Sequence, residues 1–337
     1  MGVVMPIICF DLEGPLSPQD NAYEVLGLAE KGHNVFEVIS RYDDILTMQE
    51  RPGYEPGDTL KLILPFLLLH GIKEREITKV SKKAMLIPGA TETIAELKTR
   101  GWKVRIISTS YQQHAYNIAE QLDVDRKDVA CTQLPLDEYH SELGEQDLSL
   151  IEAAEAKILS FRVGSNEDEM ARFLDKFFFK DIPETRLGRI FDEVSIVGGS
   201  RKVSAMEGFL DAAGVEFQDA VAVGDSITDF KMLSKVKNEG GLAVVFNGNE
   251  YAVPYADVGL ASVDMRGLLP IASAFFHDGR TGAIKAINQM EKTGLKISDY
   301  GEPAPVYNVV GKDNADEIVK VHKDYRKMVR GEAGKLG

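Results

Sequence analysis

Short apolar runs rich in β-branched residues recur along this chain, and each is followed by polar or glycine-containing residues and then by a helical pattern. Strands that alternate with helices in this way predict βαβ units and a mostly parallel sheet. The sequence therefore predicts an α/β, Rossmann-like fold. The predicted strands are VVMPIICF (3–10), KVRIIST (103–109), EVSIVGG (193–199), AVAVGD (220–225), GLAVVFN (241–247) and VGLAS (258–262).

Two helical stretches without a convincing strand interrupt this alternation, and the chain becomes helical again near its end. We interpret them as insertions into one core and as a C-terminal extension. A stripe from Ile318 to Val329 with a 3.6-residue period is expected to pack on the core, and the loop 301–308 is the best linker candidate. The predicted parts are a core (1–16, 88–131 and 191–264), a helical cap (17–87), a second helical insertion (132–190) and a helical extension (265–337).

Composition excludes several classes of protein. The 337 residues are 44% hydrophobic, enough for a sizeable core, and a formal charge of −14 argues against binding nucleic acid through phosphate neutralisation. Two cysteines without a CxxC pair favour a reducing, cytoplasmic setting. The longest apolar run, LILPFLLL (62–69), is too short to span a bilayer, and the scattered histidines give no support to a zinc site.

Polar side chains follow three of the predicted strands at the points where the strands end. Because ligands of an open parallel sheet lie at the carboxyl ends of its strands, we expect these side chains to converge on one edge. They are Asp11 and Glu13 after the first strand, Ser108 and Thr109 at the end of the strand 103–109, and Asp225 and Asp229 after the strand residues 220–223.

Several acids at one crevice repel each other and therefore need a cation. Mg²⁺ is typically held by one or two carboxylates together with substrate phosphate and water, so the pattern favours phosphate chemistry. Gly14 and Gly224 would allow backbone N–H groups to approach an anion, and Lys202 at a predicted helix start can supply a positive charge at the same edge.

The ordered set of DLEG, a strand ending in Ser108, Lys202 at a helix start, and GDSITD resembles the four motifs of the haloacid dehalogenase superfamily. Each motif alone could be a turn, a helix cap or a surface charge; their shared order favours one site. Residues 5–129 and 193–262 resemble the phosphoserine phosphatase branch. The whole chain also resembles little-characterised archaeal members of the superfamily.

This resemblance implies roles for the residues. Asp11 would be the nucleophile and Glu13 the acid and base. Ser108, Thr109 and Lys202 would bind the phosphoryl group. The implied Mg²⁺ ligands are Asp11, the main-chain carbonyl of Glu13, and Asp225, with Asp229 supporting them.

Some residues depart from the pattern of the superfamily. Glu13 stands where Asp is usual, and Thr109, Ser110 and Tyr111 replace glycines of the phosphoserine phosphatase branch, which predicts a bulkier and more polar pocket and argues against phosphoserine. In the cap, candidate substrate residues are Asp20 for an amine and Arg41 or Arg51 for a carboxylate, although an arginine on a helix is more often a surface charge.

Three functions remain open. The first is a Mg²⁺-dependent phosphatase acting on a small phosphomonoester through an aspartyl-phosphate; the second is a phosphotransferase to a small hydroxyl acceptor. The third is a non-catalytic subunit that binds a phosphorylated ligand or a protein partner through 132–190 or the C-terminal helix. FLDKFFFK (173–180) would favour the third if its phenylalanines were exposed, although we expect most of them to pack inward.

Overall fold

The computed structural model of the protein describes residues 5–293 and 300–331 and contains one seven-stranded sheet. The strand order is β3-β2-β1-β4-β5-β6-β7; strands β1 to β6 run parallel, and β7 is antiparallel to β6. This confirms the predicted Rossmann-like fold. The strands are β1 (Ile7–Phe10), β2 (Lys103–Tyr111), β3 (Val129–Thr132), β4 (Ala220–Gly224), β5 (Leu242–Phe246), β6 (Val258–Ala261) and β7 (Val306–Val309).

Side chains of the central strand alternate between two hydrophobic layers. Ile8 and Phe10 pack into the layer on one face of the sheet, and Ile7 and Cys9 pack into the layer on the other face. A strand that is buried on both faces has a continuous apolar sequence, and this is why the segment IICF predicts a strand. Residues 1–4, with the start of the first predicted strand, and residues 294–299 and 332–337 of the predicted extension lie outside the described residues.

The expectation of a strand at 193–199 is wrong. Strand β1 already pairs with β2 on one side and β4 on the other, so this segment has no open edge at the centre of the sheet. Its polar backbone groups bond elsewhere: Val197 N donates to Thr132 Oγ1, and Arg201 Nη1 donates to Ile196 O. The segment is an apolar loop returning from the second insertion to the core.

The expectation that 301–308 is a linker is wrong for residues 306–308, which belong to β7 at one edge of the sheet. Strand β3, at the opposite edge, was not predicted either. Both edge strands have only four residues, too few for a clear alternation of polar and apolar residues.

Helices occupy the two insertions, and the insertions share one hydrophobic core. In that core Leu46 and Phe66 of the first insertion pack with Met170, Leu174 and Phe177 of the second. The cap is therefore a layer made by both insertions. Its helices are α1 (Asn21–Leu26), α2 (Gly32–Met48), α3 (Thr59–Leu62), α4 (Leu64–Leu69), α5 (Glu74–Ser81), α8 (Leu136–His140), α9 (Glu145–Ile158), α10 (Glu167–Lys176) and α11 (Arg186–Glu193).

The phenylalanines of 173–180 pack largely inward, as expected. Phe177 and Phe178 are buried in the shared core of the insertions. Phe179 is 37% exposed, and the guanidinium of Arg51 lies 3.7 Å from its ring centroid. The feature that would have favoured a binding subunit is therefore mostly interior.

The remaining helices flank the sheet, and the last of them is fixed to its edge. Ile318, His322 and Tyr325 are buried, and His322 Nδ1 accepts a hydrogen bond of 2.9 Å from Gly248 N. Within the described ranges, none of the helices is both long and apolar enough to cross a membrane. These helices are α6 (Ala90–Thr99), α7 (Gln112–Gln121), α12 (Ser200–Ala213), α13 (Phe230–Asn238), α14 (Leu269–Thr293) and α15 (Ala315–Arg330).

Candidate active site

A buried lysine joins two of the predicted acids at the carboxyl edge of the sheet. Asp11 directly follows β1, and its N–H donates to Val223 O of β4. Lys202, in the first turn of α12, is fully buried, and its Nζ lies 2.7 Å from Asp11 Oδ1 and 2.7 Å from Asp229 Oδ1. The two acids raise the pKa of Lys202 despite its burial, so the ammonium stays charged.

Asp229 holds the loop after β4 in place. Its Oδ2 accepts hydrogen bonds from the backbone N–H groups of Asp225 (2.9 Å) and Ser226 (3.1 Å), while its Oδ1 accepts from Lys202. Because both carboxylate oxygens already have donors, Asp229 is suited to orienting Asp225 and Lys202.

Asp225 has one oxygen with cationic partners and one without a partner. Arg326 Nη1 and Arg330 Nη1 of α15 donate to its Oδ2. Its Oδ1 is buried and has no hydrogen-bond partner. Gly14 packs directly against this carboxylate with a φ of +111°, and a Cβ there would lie 2.3 Å from Oδ2, so only glycine fits.

The donor set fits a divalent cation. Oxygen atoms of Asp11, Asp225 and Asp229 lie within 4.8 Å of one another, and carboxylate oxygens are the ligands that Mg²⁺ prefers. Burial, together with the charge of Asp229, raises the pKa of Asp11. A cation at the partnerless Asp225 Oδ1 would remove the electrostatic cost of ionising Asp11.

Glu13 lies where an acid and base could act. Its Oε1 accepts a 3.0 Å hydrogen bond from Asn21 N at the start of the cap, and the Nε2 atom of buried His114 lies 3.7 Å away. Burial and the neighbouring Asp20 raise the pKa of Glu13 to about 7. Such a carboxyl group can both give and take a proton near neutral pH.

The two predicted phosphate-binding residues of β2 lie under the cap. Ser108 Oγ accepts from Ser110 N, and the Oγ1 atom of Thr109 is buried without a partner. A Cβ at Gly57 of the cap would lie only 2.8 Å from Thr109 Cγ2, and Tyr111 donates a 2.5 Å hydrogen bond to Leu60 O. The cap is therefore closed on β2.

Cap and core line a partly open cavity of about 80 Å³. This is much smaller than typical ligand pockets of roughly 300–1,000 Å³, so a substrate has to be small or the cap has to open. The cavity is lined by Asp11, Glu13, Asp20, Phe36, Ser40, Asp43, Gly57, Thr59, Leu60, Ser108, Thr109, Ser226, Ile227, Thr228, Arg326 and Arg330.

Of the three candidate substrate residues, one lines the cavity and two do not. Asp20 lines it and caps α1 by accepting from Tyr23 N. Arg41 pairs with Glu167 at 2.7 and 3.0 Å, and Arg51 pairs with Asp175 at 2.5 Å. Both arginines hold the second insertion against the first.

Sequence reasoning missed four residues of this site: Asp43, His114, Arg326 and Arg330. One signal could have found the arginines. His322, Arg326 and Arg330 are spaced four residues apart, so they continue one face of the helix whose apolar stripe was expected to pack on the core. Asp43 and His114 carry no comparable signal, because single polar residues on amphipathic helices are usually exposed.

Comparisons with known proteins identify solved structures with a similar fold. No family model matches the chain. A solved structure of a gene product from Archaeoglobus fulgidus is 28% identical, with a TM-score of 0.85 and coverage of 99% of both chains. A phosphoserine phosphatase in apo form is 20% identical, with a TM-score of 0.50 and coverage of 79% of this chain and 98% of that one.

A curated relative, the phosphoserine phosphatase of Streptomyces coelicolor, is 28% identical over 181 residues, or 53% of this chain. The chain spans about a third of that relative's length, since the match covers 31% of it. Another solved phosphoserine phosphatase, described as a phospho-aspartyl intermediate analogue, has a TM-score of 0.51 and 20% identity, with coverage of 79% of this chain and 97% of that one. The chain therefore shares its fold with the gene product of Archaeoglobus fulgidus and with solved phosphoserine phosphatases.

Proposed function

We propose that this protein is a Mg²⁺-dependent phosphatase that hydrolyses a small phosphomonoester through an aspartyl-phosphate on Asp11. The observation that carries the proposal is the position of Lys202. Its ammonium bridges Asp11 and Asp229 at 2.7 Å each, beside the partnerless Oδ1 of Asp225. This arrangement brings together a nucleophile, a positive charge and a cation-binding oxygen at one edge of the sheet.

In the first step Asp11 attacks phosphorus. Its Oδ1 is bonded to Lys202 and to Leu12 N, so Oδ2 is the oxygen available to form the bond. The bond between phosphorus and the leaving oxygen breaks, and protonated Glu13 gives its proton to that oxygen. Lys202 offsets the negative charge on the phosphoryl group and Asp11.

In the second step water hydrolyses the aspartyl-phosphate. Glu13, now ionised, takes a proton from the attacking water, the phosphorus–Asp11 bond breaks, and Asp11 is regenerated. Mg²⁺ bound by Asp11, Asp225 and the main chain at Glu13 would supply Lewis-acid stabilisation of the phosphoryl oxygens. Closure of the cap over this pocket would limit the access of bulk water to the covalent intermediate.

The relatives support the class of reaction and leave the substrate open. Two of the solved structures and the curated relative are named phosphoserine phosphatases, which supports a small phosphomonoester. Thr109 lines the cavity with a larger side chain than glycine, whereas Tyr111 packs into the core of the cap. We therefore propose a substrate that differs from phosphoserine.

The first experiment measures phosphate release from p-nitrophenyl phosphate with and without Mg²⁺. We expect turnover by the native protein, its loss when Mg²⁺ is chelated, and its loss in Asp11→Asn. Asp211→Asn, on the exposed face of α12, is the matched control and should remain active. Equal background rates for the native protein and Asp11→Asn would refute the proposal.

Hydrolysis and phosphoryl transfer differ only in the acceptor. Adding small alcohols and measuring released phosphate against newly formed esters separates the two. We expect phosphate release to dominate; predominant ester formation would identify a phosphotransferase.

A further inference from the structure

We propose that Arg326 and Arg330 form a subsite for a second anionic group of the substrate, so that the substrate is a small phosphomonoester that also carries a carboxylate or another phosphate. This inference rests on the proposed function and deepens it. Its basis is the convergence of two helical arginines on the wall of the cavity.

Both guanidinium groups enter the site from the last turns of α15. The side chains of Arg326 and Arg330 are only 3% and 6% exposed, and both line the cavity. Arg330 is held in place by two bonds: Nε donates to Pro18 O at 3.1 Å, and Nη1 donates to Asp225 Oδ2 at 3.0 Å. Neither bond uses Nη2, and within the described ranges Nη2 has no hydrogen-bond partner.

Several charged groups lie near Arg326 and Arg330 at the wall of the cavity. The buried guanidiniums of Arg326 and Arg330, one helical turn apart, both donate to Oδ2 of Asp225, and Arg326 Nη1 also donates to Asn247 O. Buried like charges repel unless enough negative charge offsets them. Asp20 and Glu13 also act on Arg330 electrostatically. A further oxyanion would find an unused donor in Arg330 Nη2.

Contacts besides those of the two arginines also anchor α15. Ile318, His322 and Tyr325 already fix the helix through buried contacts and through hydrogen bonds to Gly248 N and Ala304 O. Buried ion pairs are on average a poor source of stability compared with apolar packing. A purely structural role therefore explains poorly why two arginines project into a catalytic cavity.

The chemistry of the ligand follows from the guanidinium group. Its planar fork matches the two oxygens of a carboxylate or phosphate, which is the geometry that selects arginine over lysine. Because the cavity is about 80 Å³, we expect only a few bonds between the second anionic group and the phosphomonoester.

The test uses three small phosphate esters with the same three-carbon chain. They are propyl phosphate, with no second anionic group, 3-phosphopropionate, with a carboxylate, and propane-1,3-diol bisphosphate. For the native protein we expect kcat/KM for at least one of the two doubly anionic probes to exceed that for propyl phosphate by about tenfold or more, from hydrogen bonds to a charged group. Whichever probe is preferred identifies the carboxylate or the phosphate.

Arg330→Gln should reduce that preference by about tenfold, and Arg330→Lys should retain part of it. Lys327→Gln removes a positive charge from the exposed face of the same helix and is expected to leave the preference intact. An equal loss of kcat/KM on all three probes in Arg330→Gln would refute the subsite. Equal kcat/KM values of the native protein for all three probes would also refute it.

Binding measurements separate this inference from the proposed function. Calorimetry on Asp11→Asn and on Asp11→Asn/Arg330→Gln, each with Mg²⁺, reports probe affinity without turnover. If the double variant binds only the doubly anionic probes more weakly, the result supports the subsite even if no ester is hydrolysed. Arg330→Gln could instead bind Mg²⁺ more tightly and leave the probe affinities unchanged. That result would show that Arg330 only competes with the cation for Asp225, and it would refute the anion subsite.

Discussion

Replacing Asp43 by Asn should stabilise this protein above neutral pH. Asp43 lies in α2, lines the cavity and is 5% exposed. Tyr54 donates a 2.5 Å hydrogen bond to its Oδ1. Burial raises the pKa of Asp43 from 3.8 to about 7, despite the hydrogen bonds from Tyr54 and Thr59. Ionising this carboxyl group in the folded protein is therefore costly.

The sign and size of the effect follow from the two pKa values. Between pH 3.8 and about 7 the folded protein keeps a proton that the unfolded chain has lost, so the stabilisation is complete below that window and disappears as pH rises through it. A shift of about three units corresponds to about 4 kcal/mol, of which about 3 kcal/mol is lost between pH 5 and 8.5. Asn can still accept from Tyr54 but never ionises.

The assay is urea unfolding of the native protein and Asp43→Asn at pH 5 and pH 8.5, with divalent cations chelated. We expect the free energy of unfolding of Asp43→Asn, relative to the native protein, to rise by about 3 kcal/mol between the two pH values. Glu37→Gln removes a carboxylate from the exposed face of the same helix and should show a much smaller change. A pH-independent difference for Asp43→Asn would refute the reasoning.

Three further predictions concern the site and the cap. Lys202→Met leaves two buried carboxylates without their cation and should lower the free energy of unfolding by about 3–5 kcal/mol in chelated buffer; a loss below about 1 kcal/mol in urea titrations would contradict the buried triad. Glu13→Gln should slow kcat by about 10²–10⁴-fold while Mg²⁺ affinity, measured by calorimetry, stays within a few-fold, because only its backbone oxygen is a proposed ligand. Arg41→Gln and Arg51→Gln should each cost less than about 1 kcal/mol of stability, since their ion pairs are partly exposed; a selective loss of turnover on 3-phosphopropionate would instead assign them to the substrate.

The sheet and its polar edge could be predicted because short stretches of the sequence indicate both. Strand β1 reads as an apolar run that ends in acids, and the same pattern recurs at β4, where Asp225 and Asp229 follow. In a parallel sheet such ends meet by topology alone. No long-range information was needed to expect Asp11, Lys202 and Asp229 near one another.

The errors arose where the tertiary context overrides the local pattern. EVSIVGG has the composition of a strand, yet both sides of β1 are already paired and the segment bonds to Thr132 instead. Strand β7 forms in a stretch rich in proline and glycine because β6 presents an open edge to it. Whether an edge is open is a property of the assembled sheet and cannot be read from a window of sequence.

The distribution of arginines explains why this site differs from what the resemblance alone implies. Arg41 and Arg51, the cap arginines expected to meet a carboxylate, are committed to Glu167 and Asp175 of the second insertion. The residues that carry positive charge at the cavity wall come instead from α15, outside the segments that resemble phosphoserine phosphatases. Arg41 and Arg51 of the cap pair with the second insertion and are not available to a substrate. A negatively charged group of the substrate would therefore have to bind to another element, and the arginines of α15 line the cavity where it could bind. The extension is therefore expected to change with the substrate, whereas Asp11, Lys202 and Asp225 are expected to stay the same if the protein catalyses the proposed phosphoryl transfer.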